Sequence, residues 1–421
     1  MTIATTITAV SRRRLLQGAT ALPFASASVG HTAEAKVAVT PFKITVPQAR
    51  LDDIQARLKM ARWPDEPASN DPWTYGPPVS AMKDLVTYWT TTYDWRKQEA
   101  MMNRFPHFKA RVADYDVHFI HLKSGRKNAQ PIILTHGWPG CFVEFLDVIE
   151  PLAFPEKHGG NAEDAFDVVV ASIPGFGFSS KPKGPITSTL VSRILDRVMV
   201  EGLGYKGYIA QGGDYGAGIS IGMATESQHC KAAHVNLLLG AGAKQETEEE
   251  RQAMERWNAR SLTMGGYRAI QKTKPLSLAY GMDNNPIAVA AWLFEKFQGW
   301  SQLTNGDPWS VYTRDQILNA IMTYVVTDTF GTASWMYVGG EAAASRDNEV
   351  PPRRAPQKAA LGVAHFPGEV SFWPRSFAER NFKLVRWSDM PRGGHFAAFE
   401  QPKLFVPEMR AFARDLRTAK P

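Results

Sequence analysis

The stretch Tyr208-Ile209-Ala210-Gln211-Gly212-Gly213-Asp214-Tyr215-Gly216-Ala217-Gly218 constrains the fold more than any other in the chain. A short apolar run leads into a turn in which small residues flank an acid, and small residues also open the next segment. This pattern suits a strand that turns sharply into a helix and holds one side chain out over the end of a sheet. Glycines on either side relieve the crowding of such a turn. The side chain presented is Asp214, a carboxylate able to attack an electrophilic carbon and form an alkyl ester that water must then cleave. An aspartate capping an ordinary helix after a glycine turn would look the same locally, so the rest of the chain must separate the two.

Other apolar runs stop at turns in the same way. Val117 to Leu122 reads as a strand. Pro131 to Thr135 ends at His136-Gly137, and Phe166 to Ala171 ends just before Pro174-Gly175-Phe176-Gly177. Gly207 to Ala210 ends at the Asp214 turn, and His234 to Leu239 comes after it; Leu361 to His365 and Phe382 to Trp387 come later. Continuous apolar strands alternating with helical stretches predict a mostly parallel sheet covered on both faces. Such sheets hold their sites at the carboxyl ends of the strands.

Strand signals vanish between about 241 and 345, where Glu246 to Asn258, Ala288 to Phe297 and Gln316 to Thr329 read as helices. That segment predicts a helical cap inserted into an α/β core of 113–240 and 346–421. Residues 36–112 carry helix signals at Leu51 to Leu58 and Ala81 to Trp89, with aromatics between. They predict an N-terminal helical extension that straps onto the core.

The net charge of +7 is not gathered into blocks of like charge, and no nucleic-acid motif occurs, so no nucleic-acid partner is expected. Cys141 and Cys230 make no disulfide framework and no zinc spacing. His118 and His121 lie three apart in a strand, which puts them on opposite faces, and they read as structural or surface residues. Residues 1–35 contain Ser11-Arg12-Arg13-Arg14-Leu15-Leu16-Gln17 before a mildly apolar stretch and resemble a twin-arginine export signal. An exported protein, periplasmic or secreted, is therefore expected. No apolar run approaches the roughly 18 residues that a membrane helix needs, so membrane insertion is not expected. A homo-oligomer is left open.

Three motifs join the turn at Asp214. His136-Gly137-Trp138-Pro139-Gly140 directly follows an apolar strand, and its backbone N–H groups, Trp138 among them, suit an oxyanion hole shared with the N–H of Tyr215. Gly393-Gly394-His395-Phe396 places a histidine after glycines in a late loop, as suits a general base. Phe366-Pro367-Gly368-Glu369 follows the strand at 361–365, and Glu369 could orient His395. Asp389 is a rival acid, but it lies only six residues before the histidine. The order nucleophile, acid, histidine is that of the α/β-hydrolase fold.

Together with Pro41-Phe42, Arg62-Trp63-Pro64, Asp94-Trp95-Arg96 and Pro174-Gly175-Phe176-Gly177, these motifs make the chain resemble the microsomal-type epoxide hydrolases from about Pro41 to Pro407. The resemblance implies Asp214 as nucleophile, His395 as base, Glu369 as its charge partner, and Tyr267 and Tyr337 from the cap as donors to the epoxide oxygen. Tyr215 stands where many relatives carry tryptophan, which leaves the backbone role intact. The implied reaction converts an apolar epoxide and water to a vicinal diol with no metal or organic cofactor. A haloalkane dehalogenase shares the Asp–His logic but would use indole or amide donors. An inactive ligand-binding relative is a second alternative.

Overall fold

The apolar runs become the centre of a sheet. The computed structural model describes residues 37–418, apart from 239, 241–242, 340–342 and 372. The leader expected over 1–35 lies outside the described residues. The strands are β1 (Val39–Phe42), β2 (His107–Val112), β3 (Tyr115–Leu122), β4 (Gln130–Thr135), β5 (Phe166–Ala171), β6 (Tyr208–Gly212), β7 (Cys230–Val235), β8 (Ala360–His365) and β9 (Lys383–Asp389). Their order across the sheet is β1-β2-β3-β5-β4-β6-β7-β8-β9. The first three pair antiparallel, as does β3 with β5, and the rest are parallel. Ile132, Ile133 and Leu134 of β4 are 0% exposed. Each side chain of that size contributes about 1.5–3 kcal/mol on burial, which is why the strands read as apolar on both faces.

Two features differ from the sequence expectation, and a third narrows it. The extension holds the helices Gln48–Lys59, Val79–Thr91 and Trp95–Met102, but it also supplies β1 and β2 to the same sheet. The strand expected at 234–239 instead runs from Cys230 to Val235, so Asn236 and Leu237 fall in the loop past its end. His118 and His121 are both buried: the rings of His107 and His118 share a 2.9 Å hydrogen bond, and His121 meets the Tyr205 hydroxyl at 2.8 Å. They are structural rather than surface residues.

The cap comprises Glu248–Met264, Gly266–Thr273, Pro275–Met282, Pro286–Gly299 and Arg314–Thr327, followed by shorter turns. Its first helix starts at a capping box in which Thr247 Oγ1 accepts from Glu250 N, and Glu250 Oε2 accepts from the Thr247 N–H. Glu248, Glu249 and Glu250 face the positive end of that helix. The extension straps onto the cap through Tyr93 Oη donating to Asn319 Oδ1 (2.7 Å) and through the Arg50–Asp328 ion pair. Among the described residues no helix is long and apolar enough to cross a membrane.

Candidate active site

The site assembles at the carboxyl ends of β4, β6, β7, β8 and β9. Asp214 forms the turn between β6 and the helix Tyr215–Glu226, with φ +49° and ψ −129°. A non-glycine residue there carries roughly 1–3 kcal/mol of strain. Close approach explains the surrounding glycines. A Cβ on Gly216 would lie 2.0 Å from the Thr135 carbonyl oxygen, and one on Gly137 would lie 2.3 Å from Asp214 Cβ. No side chain larger than hydrogen fits at either place.

The two carboxylate oxygens of Asp214 have different neighbours. Oδ1 accepts from the Trp138 N–H at 2.9 Å. Oδ2 lies 3.5 Å from His395 Nε2. On its other side, His395 Nδ1 donates to Glu369 Oε1 at 2.6 Å. The side chains of His395 and Glu369 are each only 2% exposed. Burial alone would depress the imidazole, but Glu369 and Asp214 outweigh it and hold His395 well above the ordinary histidine range. Asp389 is not in this arrangement. Its side chain is 73% exposed and meets His365 Nδ1 at 3.1 Å and Trp387 Nε1 at 3.2 Å.

The cap lowers aromatic rings onto Asp214. Tyr267 opens the second cap helix and stacks on Trp138 at 5.1 Å, with 7° between planes. Tyr337 meets Tyr267 edge-to-face at 5.7 Å and stands over Tyr215 at 5.1 Å. Burial comes first among the causes that raise both phenols, and the Asp214 carboxylate adds to it, so both stay protonated. Trp138 Nε1 is buried without a hydrogen-bond partner, although its ring lies against the phenol pair. The open cavity here holds about 190 Å³ and reaches Leu237, Met264, Trp300 and Val370.

Behind Asp214 is a smaller hollow of about 20 Å³, also lined by Gly213, Asn236, His395 and Glu144. A hollow of that size admits one water molecule. Asn236 Nδ2 donates to the His395 carbonyl at 3.2 Å, and Gln211 Nε2 donates to Asn236 Oδ1 at 3.1 Å. Glu400 braces the histidine loop. Its Oε2 accepts from Gly394 N (2.8 Å) and Gln302 N (3.0 Å), and its Oε1 accepts from Phe396 N (2.9 Å). Burial pushes Glu400 up to about 7 and Glu144 up to about 8. Among the described residues no group of three or more His, Cys, Asp or Glu side chains is placed to hold a metal.

All seven residues singled out in the sequence come together here: Asp214, His395, Glu369, Tyr267, Tyr337, Trp138 and Tyr215. Sequence reasoning missed Asn236, Glu144 and Glu400. Glu144 and Glu400 do stand within a few residues of recognised motifs, and that nearness was the available signal.

Comparison with known proteins agrees with this geometry. Residues 39–145 match the family described as epoxide hydrolase N terminus, and residues 130–260 match the α/β hydrolase fold. Epoxide hydrolase 1 of Sus scrofa is 33% identical over 408 residues, covering 89% of this chain and 88% of the relative. The solved structure of Aspergillus niger epoxide hydrolase superposes with a TM-score of 0.75 at 27% identity, covering 90% of this chain and 97% of that one. The juvenile hormone epoxide hydrolase of the silkworm Bombyx mori superposes with a TM-score of 0.80 at 25% identity, covering 91% of this chain and 95% of that one.

Proposed function

The chain belongs to the epoxide hydrolases of the α/β-hydrolase fold, and from that premise we propose the route by which it turns an epoxide into a vicinal diol. One observation carries the proposal. The carboxylate of Asp214 has one oxygen held by a backbone N–H and the other facing an imidazole, beneath two protonated phenols.

In the first step Oδ2 attacks a ring carbon. The carbon–oxygen bond of the ring breaks, and the released oxygen takes a proton from Tyr267 or Tyr337. Positioned proton donors of this kind typically contribute about 10²–10⁴-fold. The product is a hydroxyalkyl ester on Asp214. Esterification removes the negative charge that helped hold His395 protonated, so the imidazole gives up its proton, which replaces the one the tyrosine lost, and becomes a base.

In the second step His395 Nε2, oriented by Glu369, takes a proton from water in the small hollow. The water oxygen bonds to Asp214 Cγ, and the negative charge gathers on Oδ1. The N–H groups of Trp138 and Tyr215 stabilise that oxyanion; one such donor is worth roughly 2.7–4 kcal/mol in another hydrolase. The tetrahedral centre collapses, the diol oxygen leaves with the proton from His395, and the new carboxyl group passes the second proton of the water to His395, which restores the carboxylate and the imidazolium.

A single turnover in ¹⁸O water tests this route. The first diol should be unlabelled, because its new oxygen comes from Asp214. Label in that first diol would exclude the ester. The twin-arginine-like leader supports export, which fractionation of cells making the full chain would test.

A further inference from the structure

The catalytic cavity has two charged walls that the ester chemistry does not use. The cap helix Glu248–Met264 lines it with Trp257, Arg260, Ser261 and Met264. Those positions follow the i, i+3, i+4, i+7 spacing of one helix face. Arg268, next to Tyr267, lines it from the following helix. Both guanidiniums are half-buried and held by neighbouring groups. Arg260 Nη2 donates to the Gly299 carbonyl at 2.9 Å. Arg268 Nη2 donates to Ser261 Oγ at 3.0 Å, and its guanidinium lies 4.7 Å over the Trp257 ring.

Neither arginine has a carboxylate within ion-pair distance among the described residues. A guanidinium carries five N–H donors, and these bonds use one on each arginine. The charges point the same way. The carboxylates of Asp214 and Glu369 with a protonated His395 leave one net negative charge, and two guanidiniums reverse it. The remaining wall, with Leu237, Trp300 and Val370, is apolar. A plain hydrocarbon epoxide would displace water from the guanidinium donors and give them nothing in return, which is costly.

We propose that the substrate is an epoxide bearing an oxyanion group, a carboxylate in its simplest form, separated from the ring by an apolar spacer and received by Arg260 and Arg268. This rests on the epoxide hydrolase reading and replaces a wholly apolar substrate with an amphiphilic one. The apolar walls take the spacer, and the arginines set how far along it the ring lies from the anion.

The test compares an epoxy carboxylic acid with its carboxamide and its phosphate-ended analogue over several spacer lengths, with styrene oxide as a neutral reference. The wild-type enzyme should favour the acid over the carboxamide by about tenfold or more in kcat/KM, mostly through KM. That ratio should fall toward one in Arg260→Leu and Arg268→Leu and recover in part in Arg260→Lys and Arg268→Lys. Taking the ratio within each protein cancels any general loss from the substitution. A still larger preference for the phosphate analogue keeps the receptor and identifies the anion as phosphate. Equal turnover of acid and carboxamide by the wild type overturns this proposal and leaves the hydrolase reading standing. If no epoxide, styrene oxide included, is turned over or forms an adduct on Asp214, the hydrolase reading falls as well.

Discussion

The backbone N–H of Trp138 holds Oδ1 of Asp214 at 2.9 Å, and this bond sorts the two oxygens of the carboxylate before any substrate arrives. In the proposed route Oδ1 already occupies the oxyanion position. Oδ2 is left to attack, with His395 Nε2 3.5 Å away. Forming the ester requires no new orientation of the acid, which is the preorganisation that makes such sites effective.

His395→Gln should separate the two halves of the reaction. Ester formation needs no base, so intact mass should rise by the mass of an epoxide that the wild type hydrolyses. Ester cleavage should slow by about 10²-fold or more. Absence of any adduct with such a substrate would remove His395 from the proposed role.

The charge on His395 should depend on the state of Asp214. The free enzyme holds the imidazole well above its ordinary range through Glu369 and Asp214. Esterification takes one of those partners away. The histidine should therefore titrate at lower pH in the trapped ester than in the free enzyme, as followed by its ring proton resonance. In single turnovers, ester cleavage should fail on the acid side, where the imidazole regains its proton. An unchanged titration would contradict the proposed switch from cation to base.

In the proposed route the phenols act only while the ring opens. Tyr267→Phe and Tyr337→Phe should each slow ester formation by roughly ten- to a hundredfold, within the range for a positioned acid, and leave ester cleavage nearly unchanged. Rapid-mixing fluorescence of the cavity tryptophans would resolve the two phases. Equal losses in both would show that the tyrosines merely support the fold.

Gly137→Ala should abolish most activity, because the added methyl would lie 2.3 Å from Asp214 Cβ. Gly281→Ala is the control: nothing lies within 4 Å of its would-be Cβ, and it sits in the helix Pro275–Met282. That change should leave turnover intact and add up to about 0.5–1 kcal/mol of stability. Circular dichroism would verify that both variants fold.

Burial pushes Glu144 up to about 8 from an ordinary 4.5. The fold thus favours its neutral form. That advantage is complete below pH 4.5 and disappears as the pH rises through 8. Glu144→Gln, which keeps an oxygen for the Cys141 N–H, should match the wild type near pH 4.5 and exceed it at pH 8 by an amount on the order of 1–3 kcal/mol. Urea midpoints across that range would reveal the widening gap. A gap of the opposite sign would mean that Glu144 is charged in the fold.

Local chemistry made much of this molecule legible in sequence. The turn at Asp214, the Gly-Gly-His loop and the oxyanion turn each need particular residues at adjacent positions, so short motifs record them. The first two strands, at one end of the sheet, escaped notice for physical reasons. β1 is four residues long and contains Pro41, while β2 carries exposed polar residues such as Arg111 and follows Pro106. The apolar run beginning at His234 continues past the point where β7 ends, which hid the loop that delivers Asn236 to the histidine. Arg260 and Arg268 act through neighbours that only the folded chain brings near, and Glu400 had only its nearness to the histidine motif to mark it.

The fit of Gly137 against Asp214 bears on handedness. Flanked so tightly, the acid meets every incoming ring from one direction and in one attitude. Discrimination between mirror-image substrates therefore rests with the cap, which decides which face of the ring is turned downward. Changes along Trp257, Ser261 and Met264 should invert or sharpen enantiomer choice while the acid, imidazole and glutamate below stay untouched.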